Sequence, residues 1–317
     1  MKLNEVDRVE VVTLQDNYID ITDLESSPVV LRANPLEGVE LKNSVLAEHG
    51  FSAFIRTTSG DAAGTMIFDF GFSSHGAAYN ARILGIDMAG VEALALSHGH
   101  MDHTGGFDAI VDMVGDNIDF VVHPGAFVSP RYLKFSEELK VYFPEFSKDK
   151  VLASGVNLIE TEKPYGLLGG DVVFLGQVPR CTDFERGFPI AHLVKDGKEQ
   201  WDPIEDDSAV VMNVRNKGLV VLSGCAHAGI INTVKHAQEV TGIEKVHAVM
   251  GGFHLSGPLF EPIIERTTDE LKKLGPDYVI PTHCTGRKAI MHIEKEMPSQ
   301  FILNMSGTQL TFRMKGG

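Results

Sequence analysis

The chain has 317 residues, 43% of them hydrophobic and 22% charged, an ordinary globular balance that excludes disordered, collagen-like and coiled-coil architectures. Its 28 basic residues stand against 43 acidic ones, a net charge of −15, which argues against a nucleic-acid partner because the phosphate backbone calls for a basic surface. No run approaches the length of an uninterrupted apolar membrane span, and the N-terminal MKLNEVDRVE lacks the apolar core of a secretory signal.

The three cysteines, Cys181, Cys225 and Cys284, are an odd set without paired spacing, so a reducing, cytoplasmic setting is expected rather than a disulfide framework. Taken in chain order, apolar and β-branched runs predict strands over 9–14, 52–57 and 66–70, a helix over 77–84, a strand over 93–97, a helix over 106–114 and a strand over 120–123. Residues 124–170 open with Pro124-Gly125 and mix Tyr132, Phe135, Tyr142, Phe143 and Phe146 with charges. They are expected to leave the core, as a lid or as a surface helix. Strands follow over 172–175, 208–214 and 219–223, then a helix over 230–240, a strand over 246–250, a helix over 262–274, a strand over 278–281 and a helix over 288–296.

The helix over 262–274 shows the reasoning. Pro262 suits a first turn, Ile263, Thr267, Leu271 and Leu274 share one face, and Gly275-Pro276 stops the helix. Arg215–Gly218 is too short for a crossover and reads as a hairpin turn, so the sheets are mixed. The strands are too numerous for one comfortable open sheet, and two packed sheets are expected within a single domain over 1–317.

The strongest chemical signal is Ser97-His98-Gly99-His100-Met101-Asp102-His103-Thr104, directly after an apolar strand. Burying such a cluster unpaired is costly, and a divalent cation removes that cost. Imidazole and carboxylate are first-choice ligands for zinc, iron or manganese. In extended chain, positions i and i+2 point the same way, so His98 and His100 are expected to clasp one ion. Asp102 and His103, at the turn into the next helix, are expected to face a second. Three further histidines sit at strand ends: His227 in Ser223-Gly224-Cys225-Ala226-His227, His254 in Gly251-Gly252-Phe253-His254, and His283 in Pro281-Thr282-His283-Cys284. In α/β sheets such ends are where sites collect. His283 and His227 are expected as ligands, with Cys225 an alternative or companion to His227. His254 is read as a ligand or as a group facing the substrate.

The His-x-His-x-Asp-His run followed by Thr104-Gly105-Gly106 resembles the defining motif of the metallo-β-lactamase superfamily. The resemblance extends through Glu48-His49-Gly50-Phe51, Phe68-Asp69-Phe70-Gly71, the Ser-Gly-Cys-Ala-His segment, Gly251-Gly252-Phe253-His254 and His283-Cys284-Thr285-Gly286. It points to the subfamily whose members are called 7,8-dihydropterin-6-yl-methyl-4-(β-D-ribofuranosyl)aminobenzene 5′-phosphate synthases or metal-dependent hydrolases. It implies a four-layer αββα sandwich, two mixed sheets with helices on the outer faces, and a site at one edge between the sheets. It also exposes a departure. Many superfamily members carry a ligand histidine where this chain reads Val178-Pro179-Arg180-Cys181-Thr182-Asp183-Phe184-Glu185, and an aspartate where it has Cys225.

One or two divalent ions, zinc first with iron or manganese as alternatives, would activate a water and polarise a carbonyl or phosphoryl oxygen. Asp102 is then expected to orient that water, and His254 to donate to the developing oxyanion. The substrate is expected to be small and phosphorylated, held by Arg131, Arg180, Arg186 or Arg287, since arginine meets phosphate bidentately. A synthase would release pyrophosphate. A di-iron redox protein and a non-catalytic metal- or ligand-binding protein are the alternatives. No membrane partner is expected, and homo-oligomerisation is left open.

Overall fold

A computed structural model of the chain describes residues 1–24 and 26–314. One sheet has eight strands, in the spatial order Asn157–Glu160, Asp119–Val122, Ala93–Ala95, Ala62–Phe68, Ser52–Ser59, Arg8–Gln15, Gln309–Arg313 and Val30–Leu31. The second runs Tyr165–Leu167, Val172–Phe174, Ala209–Val214, Gly218–Ser223, Val246–Gly252 and Tyr278–Thr282, with Glu5–Val6 added parallel to Ala209–Val214. Both sheets mix parallel and antiparallel pairs.

The strands alternate because each is covered on both faces. Val220 and Leu222 turn inward and meet Ile55, Met66 and Phe68 of the facing sheet, while Leu219 and Val221 turn outward onto helices. Helices Ile230–Thr241, Ile264–Leu274 and Arg287–Glu296 cover that outer face. Gly76–Ile83 and Phe107–Val114 cover the outside of the eight-stranded sheet. The result is the four-layer αββα arrangement. Among the described residues no helix is long and apolar enough to cross a membrane.

Most element boundaries fall within a residue or two of those read from the pattern. The segment from Pro262 begins as a 3-10 turn over Glu261–Ile263, with the α-helix starting at Ile264. It stops at Gly275, whose left-handed conformation (φ 62°) lets its N–H close back onto Leu271. The segment 124–170 divides in two. Asn157–Glu160 and Tyr165–Leu167 rejoin the two main sheets as edge strands. Arg131–Lys134 and Lys140–Tyr142 instead combine with Ala191–Lys195 and Lys198–Trp201 in a separate four-stranded antiparallel sheet.

Ile55 is fully buried between the sheets. Ile55→Ala removes apolar contacts on both sides and leaves a void, so it is expected to cost about 2–5 kcal/mol in denaturant unfolding, with the helical and sheet content of the folded protein unchanged.

Candidate metal centre

The site forms where the two sheets open at one edge. Strand Ala93–Ala95 delivers His98-Gly99-His100, and His100 leads into the one-turn helix Met101–Thr104, which carries Asp102 and His103. Gly99 passes so close to the Ala126 carbonyl that a Cβ would stand 2.1 Å from that oxygen. From the opposite sheet, Gly218–Ser223, Val246–Gly252 and Tyr278–Thr282 run parallel, so their ends stand together and present Cys225 and His227, then His254, then His283 and Cys284.

His98 Nε2 lies 3.1 Å from His100 Nδ1 and 3.2 Å from His227 Nε2. All three rings are buried. Burial pushes their pKa values down: His98 and His227 fall well below the usual imidazole range, and His100 falls to about 3, with Arg131 adding to the effect. Neutral imidazoles with lone pairs turned toward one another are the protonation state that a cation requires. His100 Nε2 and His227 Nδ1 are buried without a hydrogen-bond partner.

Asp102, His103, Cys225 and His283 form a second group, whose donor atoms all lie within 4.8 Å of one another. His283 Nε2 stands 3.2 Å from Asp102 Oδ2, and His103 Nε2 stands 3.1 Å from Cys225 Sγ. Cys225 also groups with His98 and His227. It therefore stands between the two sets, and both Cys225 and His227 face the centre. The nitrogen, oxygen and sulfur donors fit one or two divalent cations.

Buried carboxylates set the orientations of these side chains. Asp69 accepts from His103 Nδ1 at 2.6 Å and from Ser97 Oγ at 2.7 Å, and Ser97 Oγ lies 2.9 Å from His98 Nδ1. One carboxylate thus directs a histidine of each group. Burial depresses His103, but Asp69 and then Asp102 outweigh it and hold the ring up at about 9. Asp206 accepts the Gly99 N–H at 2.8 Å and pairs bidentately with Arg131. Asn17 Oδ1 lies 3.0 Å from His283 Nδ1, and Asp16 accepts the His283 N–H at 2.8 Å. His49 Nε2 reaches Asp102 Oδ2 at 3.3 Å.

The segment 178–185, which departs from the superfamily pattern, does other work. Glu185 accepts from the Ile231 and Asn232 N–H groups at the start of helix Ile230–Thr241, both at 2.9 Å, and Asn232 Oδ1 accepts from Cys181 and Thr182. The loop is thereby stitched to a helix N-terminus, where a carboxylate is stabilised. His227 takes the position facing His98.

The arginines expected at a phosphate divide differently. Arg131 is buried, with Nε 3.0 Å from Asp202 and both terminal nitrogens hydrogen-bonded to Asp206, so its charge is already paired within the protein, and it does not line the cleft. Arg180 also turns inward, donating to the carbonyls of Pro203 and His227. Arg186 lines a side cavity, and Arg287 is exposed at the start of its helix. His254 lies with its ring 4.2 Å from His227 and 4.5 Å from Phe260, its Nδ1 buried and without a hydrogen-bond partner.

Above the donors lies a cleft of about 530 Å³. Leu133, Phe135, Phe143, Phe188, Ile190 and Phe260 line it with His100, Asp102, Cys225, His227, His254 and His283, and among the described residues no lysine or arginine does. A neighbouring cavity of about 470 Å³ shares His227, His254, Leu259 and Phe260 with it. Sequence reasoning missed Asp69, Ser97, Asp16, Asn17 and Asp206. Asp69 carries a signal in retrospect, as a charge between two phenylalanines at a strand end. Asp206 does not, because Glu205-Asp206-Asp207 reads like a solvated acidic run.

Two outcomes follow from these contacts. Asp69→Asn is expected to weaken zinc binding by about 10–100-fold in a chelator-competition titration, because His103 loses its acceptor. Arg131→Met leaves Asp202 and Asp206 buried without a cation and is expected to cost about 3–5 kcal/mol in denaturant unfolding. Burial raises Asp206, but Arg131 outweighs it and holds the carboxyl well below the usual range. Its contribution is therefore present above the ordinary aspartate pKa and is lost as the pH falls through the depressed one, so the wild-type advantage over Arg131→Met should shrink in strong acid.

The family model of the metallo-beta-lactamase superfamily matches residues 47–162. A curated relative from Methanocaldococcus jannaschii, the 7,8-dihydropterin-6-methyl-4-(beta-D-ribofuranosyl)-aminobenzene-5'-phosphate synthase, is 29% identical over 95% of this chain and 96% of its own length. An uncharacterized protein of the same organism is 31% identical over 78% of this chain and 88% of its own. The crystal structure of a metal-dependent hydrolase of the beta-lactamase superfamily superposes with a TM-score of 0.69 at 24% identity, covering 96% of this chain and 99% of that one. The motif, the layered fold, the donor cluster and these likenesses agree, and the chain belongs to the metallo-beta-lactamase superfamily.

Proposed function

We propose that the protein is a metal-dependent enzyme acting on a small phosphorylated substrate with a flat ring, and that its reaction is the dihydropterin-linked aminobenzene phosphate synthesis for which its full-length relative is named. The observation that carries this reading is the placement of the donor cluster on the floor of a cleft walled by Phe135, Phe143, Phe188 and Phe260. Aromatic walls favour a flat heterocycle by stacking and edge contacts. The absence of lysine and arginine from the described lining leaves the floor as the place for an anionic group.

A bound pair of divalent cations, zinc in the first instance, supplies Lewis-acid polarisation of a phosphoryl oxygen and activation of a water. His98, His100 and His227 would hold one cation, Asp102, His103 and His283 the other, and Cys225 would contribute between them. In the synthase reading, a nucleophile on the aminobenzene partner forms a bond to the pterin methylene as the bond to pyrophosphate breaks. His254, at the junction of the two cavities, donates a hydrogen bond to the group that gains negative charge. Asp102 orients the reacting oxygen from the opposite side. Arg186, which lines the neighbouring cavity, meets the substrate's outer phosphate. The protein works in the cytoplasm.

A second reading is hydrolysis of a small ester or phosphodiester by the same residues, with water in place of the aryl nucleophile. It is favoured by the buried donor set alone, which a hydrolase would share. The two separate when metal-loaded protein is given the pterin pyrophosphate and the aminobenzene partner, singly and together. Pyrophosphate release only with both present supports the synthase. Turnover of phosphodiesters, thioesters or lactones without a second partner supports hydrolysis. No turnover of any of these removes both. The double variant His100→Ala with Asp102→Ala is expected to lose bound metal and fall at least about 10³-fold in activity while its circular dichroism stays that of the wild type.

A further inference from the structure

We propose that Cys225 and Cys284 form a dithiol pair that a peroxide closes to a disulfide, a modification that withdraws the sulfur standing between the two donor groups. The proposal rests on the reading of Cys225 as a metal donor and is independent of the substrate.

The two cysteines follow different strands of one sheet, Gly218–Ser223 and Tyr278–Thr282, with Val246–Gly252 between them. Two cysteines separated by an intervening strand would ordinarily be kept apart by its side chains. Here the intervening strand ends in Gly252. A Cβ at that position would stand 2.5 Å from Cys284 Sγ and 3.2 Å from the Cys225 Cα. The bare glycine is therefore what lets the thiols approach. The Cys284 thiol lies 3.6 Å from the Cys225 carbonyl oxygen as a weak donor, and the two sulfurs lie within 4.8 Å of one another. Closing that distance to a bond asks for a side-chain rotation of the kind two facing thiols permit.

Cys284 has no other assignment. It stands outside the two donor groups described above and belongs only to a third, with Cys225 and His254. Both cysteines are buried yet line the 530 Å³ cleft, so a small oxidant reaches them while a bulky one does not. Cys181 is exposed, sits against Asn232, and is not part of the pair.

The chemistry balances with hydrogen peroxide as oxidant. One sulfur attacks the peroxide oxygen, the O–O bond breaks, and a sulfenic acid and one water result. The second thiol then attacks that sulfur, the S–O bond breaks, and a second water leaves. The sulfurs lose two electrons to the peroxide, and both thiol protons end in water. Bound cations occupy the Cys225 thiolate and should protect it, so closure belongs to the metal-free protein, and a thiol reductant reverses it.

The test uses the full chain in a Cys181→Ser background, metal-stripped or zinc-loaded, treated with hydrogen peroxide, alkylated and mapped without reduction. The expected result is an intact mass lower by two hydrogens, with a single peptide pair linking positions 225 and 284. The zinc-loaded protein should react at least about tenfold more slowly. The linked protein should take up less zinc, and dithiothreitol should restore the uptake. Cys284→Ser should bind zinc as the parent does and, when stripped and oxidised, gain oxygen without forming a link. Both thiols still open to alkylation after peroxide, or unchanged zinc uptake by the linked protein, would overturn the proposal. So would a Cys284→Ser protein unable to bind zinc. A failed synthase assay leaves all these readings untouched, because mass and zinc content report them.

Discussion

Ring nitrogens of His98, His100 and His227 face one another at 3.1 and 3.2 Å, buried at the floor of the cleft. A neutral imidazole has one donor and one acceptor, and His98 already spends Nδ1 beside Ser97 Oγ. Proton sharing among such nitrogens satisfies at most part of the set. Each buried polar atom left over costs roughly 1–3 kcal/mol, and charging the rings would cost more. A cation reconciles the arrangement, and the surrounding fold is intelligible as the frame that holds the donors together until one arrives.

That frame draws on both sheets, each contributing a different chemistry. The eight-stranded sheet supplies a continuous stretch, His98 to His103, whose geometry is fixed locally by turn and helix. The seven-stranded sheet supplies its donors from three parallel strand ends, so their spacing is set by the distance between strands. Two buried carboxylates tie these parts down. Asp69 holds His103 directly and His98 through Ser97, and Asp206 holds the Gly99 amide between His98 and His100. Arg131 then fastens Asp206 to the small four-stranded sheet that roofs the cleft. Ligand loop and substrate wall are thereby joined through one buried ion pair.

How much of this could be read from the chain alone depended on the range of the interaction. The strand over 219–223 and the helix over 230–240 announce themselves by local period, and the structure places them within a residue of that reading. The His98–His103 run is visible because its members adjoin. The four-stranded sheet was invisible: Arg131–Lys134 and Lys198–Trp201 are short and charged, the second is exposed throughout, and Trp201 pairs with His192 rather than with a sequence neighbour. Arg131 is hard to read for a related reason. An arginine among aromatics looks like a phosphate contact until Asp202 and Asp206, some 70 residues on, are seen to enclose it.

The segment 178–185 carries no histidine, and the donor cluster closes without it. A histidine there would reach the centre from a loop. Here Glu185 is bound to the amides of helix Ile230–Thr241, which fixes the loop against the element that follows Cys225 and His227. The matching donors, Cys225 and His227, lie in the turn after strand Gly218–Ser223, on either side of the left-handed Ala226 (φ 49°), and both face the donor cluster. Asp207 accepts the Ala228 N–H at 2.9 Å, which holds that turn from behind. The Gly229 N–H closes back onto the Ala226 carbonyl across the same turn, and a thiol stands where the superfamily pattern has a carboxylate. That substitution makes the centre softer toward metals and opens it to sulfur chemistry that an aspartate would not allow.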